Sequence, residues 1–399
     1  MKKEKIIILF TVLVDVIGFG IVIPILPFYV QEFGASPSTI TLMFASFSFC
    51  SFISAPFIGA LSDRVGRRPM LIASIASTAL GWFVFAGAPS IPFLFLGRVI
   101  DGCAAGNFSI AQNYLVDISR DDKERTTNLG LIGAIFGIGF MLGPLLGGIL
   151  SKVSHAFPFW FAGGLATVNT VMALFFLPET HKHRSSAPAP VFNPLRPLIR
   201  AAQDDLLRPL FTSWTMFALA FTTSNAVFAL YVSKNFGFDA FTTGLTFTAM
   251  GIVVAVNQVV LLKKFWLKRF SEPQIERIMI WILIGGLLFF ISKLLSLLIL
   301  SVFLIGTGQS VLRVVLTSRV AGRADAAAKG EKMGILSALM SASMVIGPAI
   351  AGKLYEWDDR LPYTASGVYL LIALAMVVRE KQAGSNAAIP EAEKVSPHA

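Results

Sequence analysis

Charged residues are scarce in this chain: 14% of its 399 residues are Asp, Glu, Lys or Arg, and it has two cysteines and four histidines. Hydrophobic residues make up 55% and the mean hydropathy is +0.72. A water-soluble core cannot absorb that much apolar surface, so a soluble enzyme is excluded. Cys50 and Cys103 both fall inside apolar runs, which leaves no disulfide framework and no cysteine metal site. His181 and His183 form a His-x-His pair in a polar stretch without a third ligand, and read as part of a solvated basic loop. No GxxxxGK[ST] nucleotide motif occurs. No cleavable signal peptide is expected, because the first apolar run is too long and lacks a small-residue cleavage site. Nothing in the composition calls for a cofactor or a metal.

What is present is a succession of apolar runs. A helix crosses the hydrocarbon core with about 20 residues. Twelve stretches qualify: 6–30, 39–61, 70–88, 91–116, 127–150, 157–178, 209–233, 242–262, 277–292, 294–318, 331–352 and 362–379. The expected fold is therefore an all-α membrane protein with twelve transmembrane helices. The net charge of +10 suggests nucleic acid until the charges are placed. With an inner N-terminus, Lys152, Lys234, Lys293, Lys353 and Arg360 fall outside, Arg98 and Arg313 fall within spans, and all other Lys and Arg lie inside. That asymmetry is the positive-inside rule. It predicts a multi-pass protein of the cytoplasmic membrane with both termini cytoplasmic, and no nucleic-acid partner.

The polar segment 179–208 divides the chain into six-helix halves, 1–178 and 209–379, and 380–399 reads as a polar cytoplasmic tail. The halves repeat. "GLIGAIFGIGFMLGPLLGGIL" (130–150) aligns at an offset of 204 with "GILSALMSASMVIGPAIAGKL" (334–354), pairing Gly143 with Gly347 and Pro144 with Pro348. Duplicated six-helix halves related by pseudo-symmetry are a transporter architecture, with the substrate site near the midplane. Small residues let helices approach closely in lipid. The row Gly130, Gly133, Gly137 and the pair Gly139, Gly143 are expected to supply such contacts, and Pro144 favours a kink. This contact reads either as tight packing alone or as a joint that rocks during transport.

Of 23 acidic residues, only Asp15 and Asp101 lie well inside the expected spans. A carboxylate at the bilayer centre costs roughly 2.5–3.5 kcal/mol, and low dielectric favours its protonated form. That is the property a proton-driven exchanger needs. On an unbroken fourth helix, Arg98, Asp101, Ser109 and Gln112 share one face at 100° per residue, with Asn107 and Tyr114 opposite. Arg98–Asp101 reads as a structural ion pair or as a titrating carboxylate modulated by its neighbour. Asp15 has no cation on its own helix and reads as a proton or cationic-substrate site.

The motifs resemble those of the major facilitator superfamily, in its drug:proton antiporter branch. "GALSDRVGRRPML" (59–71) is similar to the family's loop between helices two and three at Gly59, Asp63, Arg64, Gly66, Arg67 and Arg68. "LGRVIDGCAAGN" (96–107) carries the family arginine at Arg98, and "GFMLGPLLGG" (139–148) resembles the antiporter signature of helix five. "LPET" (177–180) recurs at the end of helix six, and "VDVIGFGIVIPILP" (14–27) looks like the first helix of tetracycline antiporters, Asp15 included. The resemblance implies that 59–68 form a cytoplasmic latch, with Asp117 as the partner of Arg67 or Arg68. It also marks departures: "STALGWFVF" (77–85) lacks the acid of helix three, and Asn225 and Ser310 stand where multidrug members carry acids. Arg313 keeps the family's basic residue in helix ten.

On helix seven, Trp214, Phe217, Phe221, Asn225 and Phe228 share one face, read as cavity wall or as lipid-facing stripe. Gln309 and Arg313 lie one turn apart on helix ten, where Arg313 reads as an anion site or as a snorkelling side chain. The expected function is proton-coupled efflux of an amphipathic or aromatic organic molecule by a monomer. Asp15, Asp101 and Arg98 would handle protons. Ser109, Gln112, Phe217, Phe221, Asn225, Phe228, Gln309 and Arg313 would face substrate. The latch residues with Gly143, Pro144, Gly347 and Pro348 would gate. Rival expectations keep the fold and change the role, to a lysolipid, glycolipid or sugar transporter or to a non-transporting receptor.

Overall fold

In the computed structural model of the chain, residues 3–180, 193, 195–325 and 328–387 are described. His181, His183, most of the 179–208 segment's first half and 388–399 lie outside them. The described residues form helices and no strand. They are α1 (Lys3–Gln31), α2 (Pro37–Val65), α3 (Arg67–Ala86), α4 (Ile91–Cys103), α5 (Asn107–Asp117), α6 (Asp122–Leu150), α7 (Phe157–Phe176) and α8 (Arg196–Gln203), followed by α9 (Arg208–Phe236). Then α10 (Ala240–Val256) runs on as a π-helical stretch, Asn257–Trp266, and a last turn, Leu267–Arg269. The chain continues as α11 (Glu272–Ile291), α12 (Leu295–Arg323), α13 (Lys329–Trp357) and α14 (Leu361–Ala387).

Among the described residues eleven helices are long and apolar enough to cross a membrane, counting α4 and α5 as one, and Leu361–Val377 is a shorter apolar twelfth. Their ends carry ordinary capping chemistry. Ser36 accepts from Thr39 N at the start of α2, where Pro37 occupies the first turn, and Asp121 accepts from Glu124 N at the start of α6. Gly66, at φ 122°, makes the sharp turn from α2 into α3 that a side chain would oppose.

The fourth span is broken. Between Cys103 and Asn107 the helix stops, and hydroxyls of neighbouring helices take up freed carbonyls: Ser54 Oγ donates to Gly102 O at 2.7 Å, and Ser74 Oγ to Ala104 O at 2.5 Å. The expectation of one continuous helix with a single face from Arg98 to Gln112 is corrected here, because the break re-phases everything after it.

The chain packs as two compact units. Unit one holds Met1–Pro194, Thr222–Ala255 and Met344–Pro362; unit two holds Leu195–Phe221, Val256–Ser343 and Tyr363–Ala399. In unit one, α1 lies against α6 through glycine. A Cβ on Gly20 would stand 3.0 Å from Gly143 Cα, and one on Gly139 would stand 2.7 Å from Val16 Cγ1. The expected row Gly130, Gly133, Gly137 does not pack: nothing lies within 4 Å of a Cβ at any of them. Gly347 repeats the Gly143 contact against α9, where its Cβ would reach Thr223 N at 3.0 Å. At the far end of the same unit a Cβ on Gly244 would sit 3.1 Å from Gly148 Cα, so α10 touches α6 backbone to backbone. There Glu356 accepts from Ser38 N at 3.1 Å, placing a carboxylate at the N-terminus of α2.

Unit two is organised by α11 and α12. Glu276 is fully buried and pairs with the buried Arg319, while Ser213 Oγ donates to Glu276 at 2.7 Å. The expected span began at 277, which put this acid outside; α11 begins five residues earlier, and Glu276 is buried.

Candidate functional site

The densest buried polar group of unit one gathers on α1, α3, α4 and α5. Asn107 opens α5 and points its amide at two neighbours: Nδ2 donates to Asp15 Oδ1 at 3.0 Å and lies 3.2 Å from Thr78 Oγ1. Asp101, on the neighbouring α4, pairs with Arg98 at 3.3 Å. The Arg98 guanidinium stacks over the Phe47 ring at 4.3 Å and stands 5.4 Å from that of Trp82. Asp15–Asn107–Thr78 and Asp101–Arg98 thus form two neighbouring polar groups in a low-dielectric interior.

Glycine sets their spacing. A Cβ on Gly81 would meet Gly97 O at 2.8 Å and Asp101 N at 2.9 Å, so α3 and α4 touch beside Asp101. Asn107, expected on the opposite side of the fourth helix, joins Asp15 to Thr78. Asp15, expected to lack a partner on its own helix, finds one on α5. Only the break supplies this geometry, and no helical period could have shown it. Asn107 Oδ1 remains buried without a partner.

Of the other residues expected on that face, Ser109 turns its hydroxyl to its own chain at Gly106 O, 3.0 Å away. Gln112 is partly buried and makes no side-chain hydrogen bond among the described residues. Gly59 of α2 lies beneath Ser109, with a Cβ position 3.8 Å from its Oγ. Tyr114 is buried and donates to Pro178 O at 2.7 Å.

The 59–68 segment forms a tight ionic knot. Arg67 bonds Asp63 at 2.5 Å, Asp117 through Nε at 3.2 Å, and Ser62 Oγ at 2.7 Å. The expected partner of Asp117 is thereby Arg67; Arg68 instead donates to Leu174 O at 2.6 Å. Glu179 of the "LPET" motif completes the knot. Its two oxygens accept from Arg67 N at 3.0 Å and Arg68 N at 3.2 Å, at the start of α3, where the helix dipole favours a negative charge. The motif pointed to Glu179 without giving it a partner. Arg64 sits on the last turn of α2.

The stripe on α9 is protein-facing over most of its length: Trp214, Phe217 and Phe228 are buried, and Phe221 and Asn225 partly so. In unit two Trp214 donates to Leu336 O at 2.9 Å and its ring leads to Phe217 and Phe221 at centroid spacings of 6.0 and 6.3 Å. In unit one Phe228 meets Phe247 at 4.8 Å. On α12, Ser310 is buried and bonds its own helix at Thr307 O, 3.0 Å away. Gln309 is partly buried and Arg313 is exposed. Pro144 is buried beside Gly143, and Pro348 lies inside α13 next to Gly347. The π-helical stretch of α10 opens at Asn257, whose Nδ2 donates to Thr307 Oγ1 at 3.1 Å.

Comparisons with known proteins agree on the family. The family profile "Major Facilitator Superfamily" matches residues 8–272 and 210–397. The chain is similar to the tetracycline resistance protein, class C, of Escherichia coli, at 29% identity over 94% of this chain and 97% of the relative. It is similar at 28% identity to the quinolone resistance protein NorA of Staphylococcus aureus, over 96% and 97% of the two chains. Among solved structures, the human organic anion transporter MFSD10 superposes with a TM-score of 0.69 at 22% identity, covering 94% of this chain and 99% of that one. The nucleoside transporter NupG does so with a TM-score of 0.75 at 13% identity, covering 96% and 99%. The structural likenesses bear on the fold.

Proposed function

Because the chain belongs to the Major Facilitator Superfamily and is a multi-pass membrane protein, we propose that it exports amphipathic or aromatic organic compounds in exchange for protons, by alternating access. Relatives named for tetracycline and quinolone resistance support export of such compounds. The observation that carries the proton side is the buried polar cluster of Asp15, Asn107, Thr78, Asp101 and Arg98. It gathers two carboxylates in one interior, Asp15 accepting from Asn107 beside Thr78 and Asp101 paired with Arg98. A proton taken by Asp15 or Asp101 removes a charge that is costly in this interior, and its release restores it. Arg98, held by Asp101 and two aromatic rings, biases which acid is ionised.

The proposed substrate-facing residues are Ser109, Gln112, Asn225 and Phe228 in unit one, and Phe217, Phe221, Gln309 and Arg313 in unit two. The glycine contacts of Gly143 with α1 and of Gly347 with α9, each followed by a helix-interior proline, are the proposed joints of the rocking motion. The knot of Asp63, Arg67, Asp117 and Glu179, with Gly59, Arg64, Gly66 and Arg68 around it, is the proposed inner gate. The charge asymmetry supports a cytoplasmic position for this knot and both termini. The protein works as a monomer and transports without chemically altering its cargo. The test is a pH-gradient assay in inverted membrane vesicles. Addition of a tetracycline, a quinolone or another aromatic amphiphile should dissipate the gradient in vesicles carrying the protein and leave empty ones unaffected. A gradient indifferent to every compound of such a panel rejects the proposal.

A further inference from the structure

Arg313 is out of keeping with the rest of unit two. It sits inside the apolar length of α12, yet makes no hydrogen bond or ion pair from its guanidinium among the described residues. The buried charges of the unit are matched, Glu276 holding Arg319 and accepting from Ser213, and the half-buried Lys332 holds Asp204 at 2.6 Å. One turn from Arg313, Gln309 Oε1 is buried and also lacks a partner. The acids that the antiporter resemblance leads one to expect on α9 and α12 are replaced by Asn225 and Ser310.

The stripe of α12 that carries Arg313 is covered by protein from Val302 to Val320, although Leu295 and Ile299 farther along it are exposed. At 100° per residue, Val302, Gly306, Gln309, Thr317 and Val320 lie within about 40° of it. Val302, Gly306 and Val320 are buried by protein, Val320 completely, while Arg313 itself is exposed. A side chain snorkelling to the near interface would run along this stripe, over Val320, and that route is covered. Protein covers the stripe on both sides of Arg313, while the residue itself keeps exposed surface.

We infer that Arg313 is the recognition point for a carboxylate or similar anionic group on the exported compound, and that Gln309 accepts a hydrogen bond from a donor of the same ligand one turn away. The inference rests on the export reading above and narrows its substrates to aromatic organic acids that also carry a hydroxyl or amine. The guanidinium offers two parallel N–H donors matched to a carboxylate, and no carboxylate among the described residues bonds them. Exchange of one such anion outward for one proton inward moves two positive charges inward per cycle, so transport responds to membrane potential as well as to pH.

The test uses the full chain in nanodiscs of neutral phosphatidylcholine, with 2-naphthoate and its uncharged isostere 2-naphthamide as probes. Wild type should bind the acid at least about tenfold more tightly than the amide. Arg313→Gln should bring that ratio to about one, and Arg313→Lys, which keeps the charge without the fork, should leave an intermediate ratio. Equal affinity for both probes in wild type, or a ratio that survives Arg313→Gln in monodisperse protein, overturns the inference. A single-chain phosphate lipid that displaces naphthoate at far lower concentration than free naphthoate itself does assigns the site to a lipid headgroup, and overturns it too. Gradient-coupled flux of the amide with no preference for the acid leaves export standing and removes the anion site. Arg313-dependent binding of the acid without proton-coupled flux does the reverse.

Discussion

Asn107 Nδ2 donates to Asp15 Oδ1 at 3.0 Å, joining the first residue of α5 to the middle of α1. The contact exists because the fourth span stops at Cys103 and restarts at Asn107. An unbroken helix would carry the amide away from Asp15. The same break frees carbonyls that Ser54 and Ser74 satisfy, so the polar network and the discontinuity stabilise one another.

Two glycines of α6 should respond oppositely to enlargement. A Cβ at position 143 would stand 2.8 Å from Gly20 Cα and 2.9 Å from Ile17 O, both backbone. Gly143→Ala should therefore cost about 1–3 kcal/mol. Gly130 has nothing within 4 Å, and Gly130→Ala should be neutral or gain up to about 1 kcal/mol from helix propensity. Thermal unfolding of the purified variants in detergent checks both signs.

The buried pair Glu276–Arg319 should be intolerant of losing one member. Glu276→Gln or Arg319→Met leaves an uncompensated charge or polar group in a dry interior and should destabilise by about 3–5 kcal/mol. Replacing both, Glu276→Met with Arg319→Leu, should recover most of that loss. Folded yield and midpoint of unfolding report the comparison.

Acid should loosen the junction of α8 and α13. Burial works against ionisation of Asp204, but the Lys332 ammonium and the Leu207 N–H outweigh it and hold its carboxyl below the ordinary value of 3.8. A depressed carboxyl contributes stability that is complete above the unfolded value and is lost as pH falls through the folded one. Hydrogen exchange at Arg196–Gln203 should stay slow from pH 7 to about 5 and quicken below about 4. Lys332→Met should move that onset to higher pH.

Arg67 should not be replaceable by lysine. Its guanidinium serves Asp63, Asp117 and Ser62 from different edges, which a single ammonium cannot do. Arg67→Lys should lower transport about tenfold or more at unchanged membrane expression, and the Arg67–Asp117 coupling in a double-mutant cycle should be on the order of 1 kcal/mol, since Asp117 is partly exposed. Initial efflux rates for the four members of the cycle measure it.

Much of the fold was legible because lipid enforces it: apolar length, positive-inside charge and the Gly143/Gly347 repeat are one-dimensional signals. The contact of Arg67 with Asp63 was legible in a local motif, whereas that with Asp117, 50 residues away, came only from the family resemblance. What periodicity misjudged was the fourth span, where a three-residue break moved Asn107 into the site, and the start of α11, where Glu276 lies beyond the apolar run yet is buried by α9 and α12. Glycines posed the same problem. Gly130, Gly133 and Gly137 look like a packing row, and only the neighbouring helix decides that Gly139 and Gly143 are the ones used.

The central claim is that Asp15, held by Asn107, carries the coupling proton. The direct measurement is substrate-driven proton uptake in proteoliposomes, with proton and substrate fluxes recorded together for wild type, Asp15→Asn and Asn107→Leu. The account predicts that Asp15→Asn abolishes proton movement upon substrate addition, and that Asn107→Leu reduces the protons moved per substrate. An Asp15→Asn protein that still moves protons at the wild-type ratio would contradict it.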